Sequence, residues 1–90
     1  MGAAIIIVKL MPESPQTDLE AIKNSSRSLL EEAGAKNISF EEKPIAFGLK
    51  AILVKISISE ERGSDFIESL LSKIPSVSSV SIEDYRRAFS

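Results

Sequence analysis

The sequence predicts an α+β sandwich, in which a four-stranded antiparallel sheet carries two helices on one face. Three observations support this prediction. The chain has 90 residues, enough for one compact domain, which we assign to residues 1–90. Apolar residues make up 43% of the chain, which is ample for a core of that size. Their spacing alternates between that of strands and that of helices, in the order βαββαβ.

The first half of the chain predicts a strand, a helix and a second strand. Ala3–Leu10 is a short run rich in β-branched residues, which is typical of a buried strand. Apolar residues then recur at helical spacing over Asp18–Ala33, with Thr17 as the expected N-cap and Gly34 suited to the position after the helix. The alternation in Asn37–Glu42 predicts a half-buried strand or an edge strand.

The second half predicts a strand, a helix and a final strand. Lys43–Gly48 reads as a turn or a distorted strand end. In the strand Leu49–Ser59, one set of alternating residues should face the helices: Ile52, Val54, Ile56 and Ile58. Either Ser64 or Asp65 is the expected cap of the second helix, and Val77–Tyr85 alternates loosely as the last strand.

Right-handed crossovers between these elements favour the ferredoxin-like arrangement, with the strand order 4-1-3-2. This topology brings three connections to one end of the sheet: the loop after the first strand, the turn between the second and third strands, and the loop before the fourth. The C-terminus is expected at the opposite end. Because this fold serves many functions, the function has to be argued from particular surface residues.

Composition excludes several classes of function. The chain has no cysteine and no histidine, which excludes thiolate zinc sites and the usual nucleophile and base pairs. A net charge of -2 argues against direct nucleic-acid binding, and no glycine-rich phosphate loop is present. No apolar run is long enough to span a membrane. We therefore expect a cytoplasmic protein, monomeric when free, that needs no cofactor or metal and binds another protein.

Two stretches are distinctive enough to suggest a family. Met11–Glu20 reads MPESPQTDLE after the first strand, and Lys43–Lys50 reads KPIAFGLK before the third. With the ending Asp84–Arg87, their order and spacing resemble archaeal translation elongation factor 1-beta over essentially all of Gly2–Phe89. The resemblance implies a ferredoxin-like fold and guanine-nucleotide exchange on the GTPase elongation factor 1-alpha. It also implies that the chain acts by protein binding, without catalytic chemistry of its own.

The resemblance assigns the first partner contact to the turn between the second and third strands. Phe47 matches the aromatic residue of the family motif Pro-Ile/Val-x-aromatic-Gly. The resemblance implies that this residue contacts the second domain of the GTPase. Pro44 and Gly48 would shape this turn. The alternative is that Phe47 is a core residue at the start of a strand.

A second contact is expected at the C-terminal end of the sheet. Eukaryotic relatives have a lysine there that is directed toward the magnesium and phosphate site of the GTPase, but no lysine of this chain aligns with it. Arg86 or Arg87 could supply the positive charge instead. Alternatively, both are surface residues that pair with Glu83 or Asp84.

Two other functions fit the fold alone. The chain could be a regulatory module that binds a small molecule, which would predict a stable dimer and a ligand-dependent melting shift. It could also be a scaffold subunit without exchange activity, which would differ from an exchange factor only in an assay of nucleotide release.

Overall fold

The computed structural model describes residues 2–88 and shows four strands and two α-helices within them, in the order βαββαβ. Their bounds are β1 Ala3–Pro12, α1 Leu19–Glu32, β2 Lys36–Pro44, β3 Lys50–Ser59, α2 Ser64–Leu71 and β4 Val77–Ala88. Neighbouring strands are antiparallel, and their order across the sheet is β2-β3-β1-β4. This is the predicted order 4-1-3-2 read from the other edge, so the ferredoxin-like fold is confirmed.

The core lies between the sheet and the two helices. In the central strands β1 and β3, even-numbered residues pair across the sheet, so that Ile6 faces Ile56 and Val8 faces Val54. All four are at most 1% exposed. The helices cover this face with buried apolar side chains: Ile22, Leu30, Ile67 and Leu71. Burying side chains of this kind stabilises the fold by about 1.5–3 kcal/mol each, which is why the alternation in β1 and β3 determines which face of the sheet the helices cover.

The start of helix α1 and its N-cap each lie one residue later in the chain than predicted. Asp18 is the N-cap, because its Oδ1 accepts hydrogen bonds from the backbone N–H of Glu20 at 3.1 Å and of Ala21 at 3.3 Å. The prediction of Thr17 as the cap was wrong. The Thr17 hydroxyl instead accepts a hydrogen bond from the N–H of Ser14 at 3.1 Å, which ties together the loop before the helix.

Helix α2 also differs from its prediction at the start. Its N-cap is Gly63, which has no side chain to accept hydrogen bonds from the N–H groups of the first turn, and not Ser64 or Asp65 as predicted. The helix ends at Leu71, but the chain continues in turns that keep Ile74 only 5% exposed. No helix among residues 2–88 has the length and hydropathy needed to cross a membrane.

Strand β4 is longer than predicted and contains a bulge. It continues beyond Tyr85 to Ala88 and pairs with β1 to its end. The register shifts where Ile82 faces Val8 and Asp84 faces Ile7, so Glu83 has no residue opposite it. A second register shift lies near the start of β4, where Ser79 faces Met11 and Val77 faces Pro12. The loose alternation in the sequence reflects these two irregularities.

The two ends of the sheet are arranged as the topology predicts. At the first end, β2 and β3 are joined by a turn, and the N–H of Glu13 in the loop after β1 donates to the carbonyl of Ser76 before β4 at 2.9 Å. At the second end, Ala88 of β4 faces Ala3 of β1. We call these the turn end and the C-terminal end.

Candidate functional site

The turn between β2 and β3 is closed by backbone hydrogen bonds. Pro44, the last residue of β2, pairs with Lys50, the first residue of β3. Within the turn, the N–H of Ile45 donates to the carbonyl of Leu49 at 2.7 Å, and the N–H of Leu49 donates to the carbonyl of Ala46 at 3.3 Å. These bonds fix the backbone between the two strands. The predicted turn or distorted strand end is therefore a tight hairpin.

Both central residues of this turn have a left-handed backbone. Phe47 has φ 64° and ψ 30°, and Gly48 has φ 78°. Two successive residues with positive φ, enclosed by a bond between residues i and i+3, form a turn of type I′, which suits the twist of a hairpin. Glycine adopts such a conformation without cost, whereas a bulky residue rarely does.

The Phe47 side chain is on the surface. It is 92% exposed, so the alternative prediction that it belongs to the core was wrong. The turn extends beyond the ends of the paired strands, where neither helix covers it. Phe47 therefore lies where a partner protein can reach it.

Exposed apolar residues surround Phe47. Ile45 is 37% exposed, and Pro44 and Ala46 are also on the surface. A methyl group placed on Gly48 would lie 3.9 Å from Cβ of the exposed Pro15, so the loop after β1 lies beside the turn. We call these residues the turn surface: Pro15, Pro44, Ile45, Ala46 and Phe47. Two of these residues were not predicted as contacts. Ile45 lies within the motif, and Pro15 is brought there only by the pairing of the strands.

The two arginines of the C-terminal end are on opposite faces of β4. Arg86 pairs with Ile5 on the open face of the sheet, whereas Arg87 pairs with Ala4, which is buried on the face that the helices cover. Their side chains are 79% and 77% exposed. The structure thus keeps both accessible but does not form one cluster from them. Phe89, where the sequence resemblance ends, lies outside the described residues.

Both arginines have acidic neighbours. The Nε of Arg86 lies 2.8 Å from Oδ2 of Asp84, which is one of the predicted surface pairs. The Nε of Arg87 lies 3.8 Å from Oε2 of Glu60, and not beside Glu83 or Asp84. Exposed pairs such as these contribute little to stability, so each guanidinium can exchange its neighbour for a partner's group at low cost.

The turn surface and the arginines are far apart. They lie at opposite ends of a sheet whose strand β3 is 10 residues long, which corresponds to roughly 30 Å at about 3.3 Å per residue. The longest dimension of the molecule is 42 Å. The predicted site residues therefore form two separate surfaces, one at each end.

A partly exposed ion pair at the edge of the sheet lies near the base of the turn. The Nζ of Lys23 on α1 donates to Oε2 of Glu42 at 2.7 Å and to Oε2 of Glu20 at 3.0 Å. The hydrogen bonds that Lys23 donates, first to Glu42 and then to Glu20, raise the pKa of Lys23, and the bond from Lys23 lowers the pKa of Glu42. Glu42 lies two residues before Pro44, so this pair fixes the edge strand to the helix where the turn begins. Residues 2–88 contain no group of three side chains arranged to hold a metal ion.

Comparisons with known proteins agree with this architecture. Residues 5–88 match the family model of the EF-1 guanine nucleotide exchange domain. The chain is 40% identical over 88 residues to elongation factor 1-beta of Methanothermobacter thermautotrophicus, which covers 97% of this chain and 98% of that protein. It is 38% identical over 90 residues to elongation factor 1-beta of Methanocella arvoryzae, covering 99% and 100% of the two chains. For the protein of the same name from Metallosphaera sedula, the identity is 44% over 80 residues, or 87% of each chain.

Among solved structures, the chain is similar to LarC2, the C-terminal domain of a cyclometallase involved in the synthesis of the NPN cofactor of lactate racemase. The TM-score is 0.65 at 15% identity, over 96% of this chain and 57% of that one. At this identity the likeness concerns the fold alone. The family match and the relatives are decisive, because they extend over nearly the whole chain. The chain therefore belongs to the EF-1 guanine nucleotide exchange domain family of translation elongation factors.

Proposed function

We propose that this chain is a guanine-nucleotide exchange factor that promotes GDP release and GTP reloading on translation elongation factor 1-alpha. The observation that supports this most strongly is the position of Phe47, which occupies the aromatic position of the family motif and is 92% exposed. A partner of this kind would place the chain in the cytoplasm. The relatives named above are elongation factors of the same length, which agrees with a role of the whole chain in translation.

Exchange of this kind requires differential binding and no catalytic group. A protein that binds the nucleotide-free GTPase more tightly than the GDP-bound form must weaken GDP binding by the same factor. A factor of 100 corresponds to about 2.7 kcal/mol of differential contact. A well-packed aromatic anchor can contribute about 2 kcal/mol or more to binding. Only the part of this energy that is gained with the nucleotide-free GTPase and not with the GDP-bound form counts toward the difference.

We further propose that the two ends of the sheet contact two domains of the GTPase. The turn surface would bind the domain that accepts the aromatic anchor. Arg86 or Arg87 would bring positive charge to the region of the phosphates and Mg²⁺, where a cation competes with the metal for the phosphate oxygens. Because the arginines are on opposite faces of β4, we expect one of them to contribute more than the other.

The test is the release of fluorescent GDP from elongation factor 1-alpha of the same organism, with and without the chain. We expect micromolar chain to accelerate release, and no acceleration would reject the proposed function. Phe47→Ala and the double variant Arg86→Ala/Arg87→Ala should each reduce the acceleration while the circular dichroism spectrum is retained. Glu31→Gln, an exposed position on α1 outside both surfaces, is the control. Unchanged release with both variants would reject contact through the two ends.

A further inference from the structure

The hairpin turn explains the left-handed backbone at position 47 but not the presence of a phenylalanine there. Two other residues of the described chain that are not glycine have positive φ, Asn37 at 55° and Ser76 at 73°. Both are small and polar, and such residues tolerate this conformation better than bulky ones. Phe47 is aromatic, and at 92% exposure its ring gains almost no burial to compensate for the strain. Strained backbone conformations cluster at functional sites, so strain combined with exposure points to a functional role for Phe47.

The turn fixes the direction in which the Phe47 side chain leaves the backbone. Its two flanking hydrogen bonds, from Ile45 to Leu49 and from Leu49 to Ala46, leave little freedom for the residues between them. We propose that this strained turn preorganises Phe47 for binding: it holds the ring outward, in its docking orientation, before the GTPase binds. The inference rests on the proposed function and adds that the backbone conformation of position 47, and not only its aromatic ring, determines affinity.

Preorganisation of this kind reduces the conformational entropy that is lost on binding. A ring on a mobile loop loses conformational freedom when it docks, whereas a ring on a fixed turn has lost that freedom already on folding. The same strain lowers the stability of the free chain. The left-handed phenylalanine should therefore increase the affinity for the GTPase and decrease the stability of the free chain.

The first experiment separates the strain from the ring by comparing Phe47→Ala with Phe47→Gly. Both remove the ring, so both should weaken binding to nucleotide-free elongation factor 1-alpha by at least about 30-fold. Glycine adopts positive φ freely, so Phe47→Gly should unfold at a Tm about 4 °C above that of Phe47→Ala. An equal or lower Tm for Phe47→Gly would show that position 47 is not strained and would overturn the inference.

The second experiment moves the ring by one residue within the same turn. The double variant Ala46→Phe/Phe47→Gly keeps an aromatic side chain in the turn but moves it to position 46, away from the left-handed residue. If the backbone conformation of the aromatic residue determines affinity, the affinity of this variant should equal that of Phe47→Gly within about threefold. Recovery to within about threefold of the unaltered chain would show that any aromatic residue in the turn suffices, and the inference would fail while the proposed function stands.

Ser76→Gly is the matched control for the release of strain. It changes another exposed residue with positive φ and removes no part of the turn surface. It should raise the Tm without changing affinity. If the unaltered chain does not accelerate GDP release, the proposed function and the docking part of the inference both fail. The Tm order of the two variants at position 47 would still report on the strain, so the two failures can be told apart.

Discussion

At the scale of single residues, the link between Lys23 and Glu42 joins helix α1 to the edge strand β2. The two side chains are 19% and 33% exposed, and their Nζ and Oε2 atoms are 2.7 Å apart. Edge strands have only one neighbour in the sheet, so contacts with a helix help to hold them in place. We infer that this pair keeps the base of the turn ordered.

The pH dependence of this pair follows from the two pKa shifts. The pKa of Glu42 is lowered below its ordinary value of 4.5 by the hydrogen bond from Lys23, so its stabilisation is complete above pH 4.5 and is lost as the pH falls through the lowered value. The pKa of Lys23 is raised above 10.5 by Glu42 and Glu20, so its stabilisation is complete below pH 10.5 and is lost as the pH rises through the raised value.

We expect Glu42→Gln to lower the Tm at pH 7, because it removes the charge that Lys23 faces. The difference from the unaltered chain should disappear as the pH is reduced below the lowered pKa of Glu42, where that carboxylate is protonated in both states. Thermal unfolding followed by circular dichroism between pH 2 and pH 8 measures this. The control is Glu41→Gln, on the opposite face of the same strand. A Tm difference that is constant down to about pH 2 would contradict the assignment.

At the scale of elements, the end of helix α1 shows how a backbone conformation stops a helix. The N–H of Gly34 donates to the carbonyl of Glu31 at 3.0 Å, and the N–H of Ala35 donates to the carbonyl of Leu30 at 2.9 Å. With φ of 92° at Gly34, this is a Schellman motif. The predicted role of Gly34 is confirmed.

Gly34→Ala should therefore destabilise the fold by about 1 kcal/mol and lower the Tm by about 4–8 °C. A methyl group at Gly34 would meet no atom within 4 Å, so the loss measures the backbone strain alone. Gly34→Asn is the matched control, because asparagine adopts a positive φ more readily than alanine and should lose less stability. Chemical denaturation gives both free energies of unfolding. Equal losses for the two variants would show that the left-handed conformation is not the cause.

The bulge in β4 determines on which face of the sheet two charged residues lie. Alternation from Val80 and Ile82 without an extra residue would place Asp84 and Arg86 toward the core. The bulge at Glu83 moves these two charged residues to the open face of the sheet. A charge facing the core would be costly, so the bulge allows the strand to continue through a polar segment.

At the scale of the whole molecule, the proposed contacts are separated by roughly 30 Å along the sheet. Side chains so far apart, with no shared neighbours, contribute independently to a free energy. We expect the loss of affinity in the combined variant of Phe47→Ala and Arg86→Ala/Arg87→Ala to equal the sum of the separate losses within about 0.5 kcal/mol. Titration of nucleotide-free elongation factor 1-alpha provides the three values. A combined loss no greater than either separate loss would mean that the two ends act as one unit.

Salt should distinguish the two ends. Exposed charges are screened over about 8 Å at physiological ionic strength, whereas apolar contacts are not weakened by salt. The effect of Arg86→Ala/Arg87→Ala on affinity should therefore shrink as NaCl is raised from about 0.05 to 0.5 M. The effect of Phe47→Ala should not shrink. Measuring the affinity of each variant across this range is the test, and an equal salt dependence for both would contradict an electrostatic role for the arginines.

The order of elements, the strand order and the buried face of β3 could all be predicted from the sequence. These follow from local periodicity and chain handedness, which any stretch of sequence carries within itself. Gly34 could also be predicted as the end of a helix, and the motif around Phe47 predicts it as a partner contact.

Tertiary structure alone decided three features of the candidate site: the left-handed backbone of Phe47, the approach of Pro15 to the turn, and the placement of Arg86 and Arg87 on opposite faces. Each depends on the register of one strand against another. Register is set by packing across the sheet, between residues distant in sequence, and periodicity within one strand does not contain it.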